Sequence, residues 1–261
     1  MACFPQLATG ATSQYPVQKR RSARTVMNAC LDGSTLKWAD PAGVVTEWEL
    51  HFAELTDEEL AALETFFLSM EGTLGSFTFL DPAGNLLCWS EDLAQPAWTK
   101  DPLLTVTGGI DDAWGGKRGF RLQNTGGGSQ RLEQTLAAPA GYCYALSLYA
   151  RSLQGAKVRL LRGTEASECQ IAAAWRRLVF AGQSQSNADN IAFGVELDAG
   201  AVVDVCGLQV EAQPWASPYK RSNAKGGVYT DARFSTDSLE ITTEGPGQHG
   251  CVLRVIHADH I

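Results

Sequence analysis

TEWELHFAELTDEELAALETFFLSMEGTLGSFTFLDPAG, from Thr46 to Gly84, reads as strand, helix, strand and turn in succession. Trp48, Leu50 and Phe52 alternate with Glu47, Glu49 and His51, the period of a strand with one buried face. Thr56-Asp-Glu-Glu59 is a capping box, in which the Thr56 hydroxyl caps the first turn while Glu59 reaches back. Leu60, Leu63, Phe67 and Met70 follow at spacings of three and four, one apolar helical face, and Gly72 is the expected stop. Phe77 and Phe79 then mark a strand, and Asp81-Pro82-Ala83-Gly84 a turn. This is the one helix the sequence predicts.

Upstream, Thr25–Leu31 and Leu36–Trp38 flank Asp32-Gly33, a hairpin signal between short strands. Downstream, from Asn85 to Arg221, short β-like runs alternate with Gly, Asn, Ser and Pro. They include Gly119–Gln123, Tyr142–Arg151, Lys157–Arg162, Arg177–Phe180, Ile191–Leu197 and Val202–Val210. Strands at this spacing without helices predict a two-sheet sandwich. The last forty residues return to strand-like Gly227–Tyr229, Ser238–Thr242 and Cys251–His257, too few to bury a core alone. They are expected to pair with residues 1–84. Residues 85–221 then form an inserted domain, and residues 1–84 and 222–261 a discontinuous one.

Composition agrees with a mainly β fold. The 261 residues include 26 Gly, 10 Pro and 7 Trp, with 44% hydrophobic residues, enough for a packed core. Net charge is −8, but residues 85–220 carry 13 acids and 12 bases, so the acidity lies in the flanking parts. Such a balance argues against nucleic-acid binding, and no apolar run of 18 residues predicts membrane insertion. The seven cysteines are scattered with no CxxC pair, which excludes a zinc ribbon and suits a reducing compartment. Residues 1–15 show no signal-peptide pattern, so synthesis and assembly in a cytoplasm are expected.

WELHFAELTDEELAALETFFLSMEGTLGSFTFLDPAGN, with Phe4-Pro5, Tyr15-Pro16 and Arg24-Thr25 before it, resembles the N-terminal domain of phage distal tail proteins and their minor-tail-protein relatives. The resemblance implies a ring-forming β-sandwich with one helix, a homohexamer joining the tail tube to the tail-tip proteins. It places the protein in the virion tail tip, assembled in the host cytoplasm. The stretches NLLCWSEDLAQPAWTK (Asn85–Lys100) and VCGLQVEAQPWASPY (Val205–Tyr219) are similar to the two ends of jelly-roll carbohydrate-binding modules. YALSLYAR (Tyr144–Arg151) and AWRR (Ala174–Arg177) look like that family's central and Trp-Arg strands. The fold class expected is therefore a β-sandwich ring domain with one amphipathic helix plus an inserted jelly roll. The module would project from the ring and recognise a host-surface glycan without catalysis. Alternatives are a polysaccharide-degrading tail component or a decoration without ligand.

Aromatic faces stack on the C–H faces of sugars, which singles out Trp114 in the loop GGIDDAWGGKRG, then Tyr142 and Tyr149. Trp89, Trp98, Trp175 and Trp215 sit in fold motifs and are assigned to packing. Gln209 and Glu211 share a strand face by period two. With Glu91 and Asp92 they would complete a structural calcium site, the one cofactor considered. The preferred reading is that they hydrogen-bond the domain's first strand and hold the domain shut. Asp111-Asp112 is the place for a catalytic acid pair, although a tight turn explains it as well. Lys19, Arg20, Arg21 and Arg24 form a basic run, either a subunit contact or a solvated strand edge. His257-Ala-Asp259-His260 is read as a solvated tail rather than a metal cluster. Gly116-Lys117 fails as a nucleotide loop, with Asp111 in place of Gly and Arg118 in place of Ser or Thr.

Overall fold

In the computed structural model, residues 2–185 and 188–258 are described. The elements are β1 (Val17–Ala29), β2 (Thr35–Leu55), α1 (Asp57–Ser69), β3 (Phe77–Leu80), β4 (Thr99–Lys100), β5 (Leu104–Ile110), β6 (Gly119–Asn124) and β7 (Gln130–Leu136). They continue as β8 (Cys143–Arg151), β9 (Ala156–Arg162), β10 (Glu165–Ile171), β11 (Arg176–Gln183), β12 (Ile191–Leu197) and β13 (Val202–Glu211). The last three are β14 (Val228–Phe234), β15 (Ile241–Gly245) and β16 (Gln248–Ala258). Two compact units result, one of Ala8–Thr12 with Leu80–Val228, the other of Ala2–Leu7, Ser13–Phe79 and the segment from Tyr229 onward. The divisions fall at 79/80 and 228/229 rather than at 84/85 and 221/222. Leu80 and Val228 pack with the core of the Leu80–Val228 unit, and Thr12 Oγ1 donates to the Ala212 carbonyl at 3.1 Å.

The discontinuous unit is one sheet with the order β1-β2-β16-β14-β3, β15 pairing with β16. The C-terminal strands thus complete a sheet begun by the N-terminal ones. Trp48, Leu50 and Phe52 of β2 are buried, and α1 adds Leu63 and Phe67 to the same core. Around them, Phe4, Phe66, Phe77, Phe79 and Phe234 meet at centroid separations such as 5.2 Å for Phe66–Phe77 and 4.9 Å for Phe77–Phe234. Edge and tilted pairs of this kind add about 0.5–1.5 kcal/mol each beyond area burial. Both halves of the Thr56–Glu59 capping box form. The helix ends with Met70 as its C-cap, two residues before Gly72, because Glu71 already takes a positive φ of 51°.

The hairpin differs from its sequence reading. Leu36–Trp38 and Thr46–Phe52 belong to one 21-residue strand, β2. It carries Pro41 because the β1–β2 register shifts there, between Ser22↔Val45 and Arg24↔Asp40, so no ladder donor is needed. Gly43 fits this irregularity, since a Cβ there would lie 2.4 Å from the Arg24 Cβ.

The other unit is a sandwich of two five-stranded antiparallel sheets, β10-β9-β12-β7-β4 and β11-β8-β13-β6-β5. Val158, Leu160, Phe193, Val195 and Leu197 of the first face Tyr144, Leu146, Leu148, Val203, Val205 and Leu122 of the second in one buried core. The sequence reading passed over β4, β5, β7 and β10. Gly194 in the middle of β12 is a steric requirement, since a Cβ would lie 2.1 Å from the Leu132 carbonyl oxygen on β7. Gly194→Ala is therefore expected to destabilise the protein by about 1–3 kcal/mol, read as a lower denaturant midpoint for the sandwich unit.

Candidate functional site

The outer surface of β11-β8-β13-β6-β5 follows from strand alternation. On β8, Tyr144, Leu146, Leu148 and Ala150 enter the core, which turns Ser147, Tyr149 and Arg151 outward. Register places Arg177 beside Tyr149, Cys206 on its other side, and Asp204 beside Arg151. A β-bulge between Cys206 and Gln209 carries Gly207 at φ 62°. Trp114 lies over it, its ring carbon 2.7 Å from where a Gly207 Cβ would stand.

Asp112 holds Trp114 there. Its buried carboxylate accepts from the Trp114 N–H at 2.8 Å and the Gly116 N–H at 2.9 Å. It also accepts from Arg118 Nε at 3.1 Å. Burial alone would raise the Asp112 pKa, but the N–H donors of Gly116, Trp114 and Arg118 outweigh it and hold it below the ordinary value. Trp114 is 46% exposed. Its ring meets Tyr149 edge-on at 4.9 Å and stacks on Tyr219 at 5.3 Å and 21°. The Arg118 guanidinium lies 5.8 Å from the Trp114 ring, and that of Arg177 5.8 Å from Tyr149. Tyr219 donates or accepts at Ser90 Oγ over 2.8 Å, and burial raises its phenol pKa.

Along the same face, Asp204 binds Arg121 at 2.7 Å and Arg151 at 3.1 Å. The Arg151 guanidinium lies 4.8 Å from the Trp175 ring. These residues border a cavity of about 140 Å³ that reaches Ser152–Gln154. The face thus offers a partly exposed indole, two tyrosines and charged hydrogen-bonding groups in fixed positions. That is the chemistry of sugar recognition, apolar faces for C–H and polar groups for hydroxyls.

Of the residues expected in a sugar site, Trp114 and Tyr149 come together. Tyr142 does not; it packs against the sandwich core, on the inward parity of Tyr144. Tyr142 and Tyr149 are seven positions apart, an odd interval that places them on opposite sheet faces. Tyr219 was missed because no periodicity governs its loop, and Trp175 was assigned to packing. Trp98 is buried, Trp89 packs against the core, and Trp215 is 52% exposed.

The calcium reading is corrected. Glu211 accepts from the Ser217 N–H at 2.9 Å, Lys220 Nζ at 2.9 Å and Gln213 Nε2 at 3.2 Å. Gln209 Nε2 donates to Glu211 at 2.7 Å, and Gln209 Oε1 accepts from the Lys220 N–H at 2.5 Å. Glu91 is paired with Arg118 and Arg221, and Asp92 caps the turn at Ala94 and Gln95. Apart from Glu91 Oε2, whose partner is the Arg221 ion pair, these oxygens are committed to N–H and O–H donors, which a calcium ion would have to displace. Gln209 and Glu211 secure the 213–220 segment rather than the first strand. Among the described residues no cluster of three His, Cys, Asp or Glu side chains is arranged to hold a metal. Asp111 pairs with Lys117 at 2.5 Å while Asp112 serves its loop, so this acid pair builds a turn.

The basic run on β1 makes contacts within its own sheet. Arg20 pairs with Glu47 at 2.7 Å, Arg24 pairs with Asp40, and Lys19 lies 5.3 Å from the Trp48 ring. Arg21 is exposed on the same strand. His257 sits 2.8 Å from Asp231, while Asp259 and His260 lie outside the described residues. Among the described residues no helix is long and apolar enough to cross a membrane.

No protein-family model matches the chain, and no curated protein matches it. Solved structures similar to part of it include the enzymatically active domain of bacteriophage CBA120 tailspike protein 4, at 14% identity and a TM-score of 0.37, covering 51% of this chain and 22% of that one. The chain therefore spans about a fifth of that tailspike domain. Another is the CBM22-1 xylan-binding domain of Paenibacillus barcinonensis Xyn10C, at 16% identity and TM-score 0.37, covering 54% and 95%. A third is the C-terminal family 22 carbohydrate-binding module of Clostridium thermocellum Xyn10B, at 13% identity and TM-score 0.39, covering 53% and 99%.

The Asp112 loop makes the face sensitive to acid. Its folded-state pKa lies below the unfolded value of about 3.9, so the unfolded chain takes the proton first. The stabilisation is complete above about pH 4 and is lost as pH falls through the folded value. The fluorescence difference between wild type and Trp114→Phe should shift to the red below about pH 4 and stay constant from there to neutrality. A difference that moved only above pH 6 would remove Asp112 from this role.

Proposed function

We propose that this chain is a structural component of a phage tail, a homomeric ring at the distal tail end whose sandwich unit recognises a glycan on the host surface. The observation that carries recognition is the Trp114–Tyr149–Tyr219 cluster, built on a sheet face and held by a buried carboxylate. The sequence resemblance to tail proteins supplies the setting, with tail-tube and tail-tip proteins as neighbours and the virion tail tip as location. Binding without catalysis fits the acids of this face, since Asp112, Asp204 and Glu211 are engaged by donors of the fold itself.

Assembly is supported by the far end of the β1–β2 hairpin. Met27 is 61% exposed, Leu36 58% and Trp38 46%, on a two-stranded ribbon, with Leu31 exposed at its tip. An isolated ribbon of this kind is marginally stable in water, and exposed apolar clusters mark interaction surfaces. A subunit contact here would cover these side chains and the β1 edge together.

On a glycan array of host-surface polysaccharide fragments, the full chain should bind at least one class. Trp114→Ala should weaken that binding about tenfold, the equivalent of about 1.4 kcal/mol. Binding unchanged in Trp114→Ala would discard this face, and no binding by wild type would leave the sandwich a decoration.

Native mass spectrometry should show a species at six times 28.1 kDa that Met27→Glu/Trp38→Glu abolishes. A wild-type chain that remains monomeric at tens of micromolar overturns the homomeric ring.

A further inference from the structure

Charge on the outer face of β11-β8-β13-β6-β5 is layered, with the carboxylate at the base and guanidinium groups above it. Asp204, its side chain 3% exposed, accepts from two arginines. Arg121 gives a fork, Nε to Oδ1 at 2.7 Å and Nη2 to Oδ2 at 3.1 Å, and Arg151 adds Nε to Oδ2 at 3.1 Å. One carboxylate thus serves two guanidinium groups, and one positive charge is left over. Both arginines reach solvent, with side chains 40% exposed for Arg121 and 22% for Arg151. Asp111 is paired with Lys117 at 2.5 Å, which lowers its pKa more than Arg151 does, so this pair leaves the excess in place.

The remaining donors are placed for use. Nη1 and Nη2 of Arg151 and Nη1 of Arg121 meet no acceptor among the described residues, and each keeps accessible surface. Arg151 is fixed from two sides, by Asp204 through Nε and by the Trp175 ring 4.8 Å from its guanidinium carbon. Its two Nη atoms therefore present a steady pair of N–H groups, the fork that takes a carboxylate bidentately. Both arginines line the cavity of about 140 Å³, whose rim carries Leu153, 71% exposed, and the exposed Gln154. That volume is below the roughly 300 Å³ at which small-molecule sites begin, so it suits one sugar residue of a longer chain. Tyr149 precedes Arg151 by two residues on β8, about 6.6 Å along the strand. The cavity is thus a continuation of the aromatic face.

Given the glycan recognition proposed above, on which this rests, we infer that the ligand is an acidic glycan: the carboxylate of a uronate-type residue is held by Nη1 and Nη2 of Arg151, with Arg121 Nη1 beside it, while the adjoining sugar lies against Trp114 and Tyr149. A neutral sugar over the same groups would cover guanidinium N–H donors without neutralising them, which costs free energy. A carboxylate carries a single charge and matches the excess of one. A phosphate dianion would bring a second negative charge close to Asp204.

The test is isothermal titration calorimetry of the full chain with oligosaccharides of hyaluronan, alginate, polygalacturonate and polysialate. Each is run beside its carboxyl-reduced form, in which the –COO⁻ has become –CH₂OH. At least one acidic oligosaccharide should bind, and reduction should weaken it about tenfold, the effect of losing a charge-assisted hydrogen-bonded pair. Arg151→Gln should reproduce that loss for the acidic form and leave the reduced form unchanged. Because this change also takes a donor from Asp204, Gln154→Glu is the second variant, setting a like charge at an exposed rim position outside the Asp204 network. It should weaken the acidic form severalfold and spare the reduced one. Trp114→Ala should weaken both forms alike. Reduced forms bound as tightly as acidic ones would keep the sugar face and overturn the acidic assignment. A preference for dextran sulfate or polyglycerol phosphate over every carboxylated chain would overturn it as well, as would an acidic preference that survives both Arg151→Gln and Gln154→Glu. Failure of every glycan, acidic or reduced, to bind would overturn recognition by this face and the acidic assignment together.

Discussion

A domain carried between two segments of another must bring its incoming and outgoing strands together, and one buried amide does so here. Asn85 Nδ2 donates to the Leu208 carbonyl at 2.9 Å and the Lys220 carbonyl at 3.1 Å. Its Oδ1 accepts from the Leu87 and Val210 N–H groups, each at 3.1 Å. All four capacities of the side chain are used on the two ends of the sandwich unit. Leu86 N–H adds a bond to the Val210 carbonyl at 2.8 Å, and Ser90 meets Tyr219 and Ser222 beyond it. Val210 lies on β13, the strand whose bulge supports Trp114. The closure of the unit and the base of its aromatic face are therefore one piece of structure.

The 111–118 loop obeys the same economy. A half-exposed indole on an eight-residue loop would ordinarily sample many positions, and fixing it on binding would cost free energy. Asp112 removes most of that freedom in the folded protein by gathering N–H donors from Trp114, Gly116 and Arg118 around one carboxylate. Gly207 contributes by having no side chain where the indole sits. A charge at Asp112 and the lack of a Cβ at Gly207 are thus equally part of the site, though neither touches the exposed ring face.

What was legible in the sequence follows from which forces are periodic. The alternation at Trp48–Phe52 and Ile191–Leu197 was readable because one sheet face is buried along the whole run. Thr56–Glu59 was readable because capping is local. Leu104–Ile110 was not, since Gly108-Gly109 interrupts its pattern, nor was Gln130–Leu136, whose buried face carries the polar Gln134 between Leu132 and Leu136. The two parts of β2 looked separate because Pro41 is normally a strand breaker, and only the register shift opposite Ser22–Arg24 accommodates it. In the site, Trp114 was visible as an aromatic residue in a glycine-rich loop, and Tyr149 by type alone. Tyr219 joined them through a loop held by Glu211 and Gln209, two residues whose spacing equally suited a cation site. Oxygen donors at period two say that a face is polar; whether a metal or N–H groups satisfy them is decided by the segment that folds over them.

The small size of the aromatic patch bears on how such a protein would work. One indole and two partly covered tyrosines offer a sugar only a limited apolar contact, with aromatic geometry worth about 0.5–1.5 kcal/mol beyond area. Against this stands the loss of translational and rotational freedom, about 4 kcal/mol or more on binding. A single copy would therefore bind weakly, even with its loop organised beforehand. In the proposed ring, repetition of the face would change the balance, since later contacts would be made at an effective concentration set by the ring rather than by the solution. For that gain the faces must hold their geometry when the first sugar docks. A loop fastened to its own sheet by a buried carboxylate meets that condition, and a flexible one would spend the advantage on ordering each site in turn.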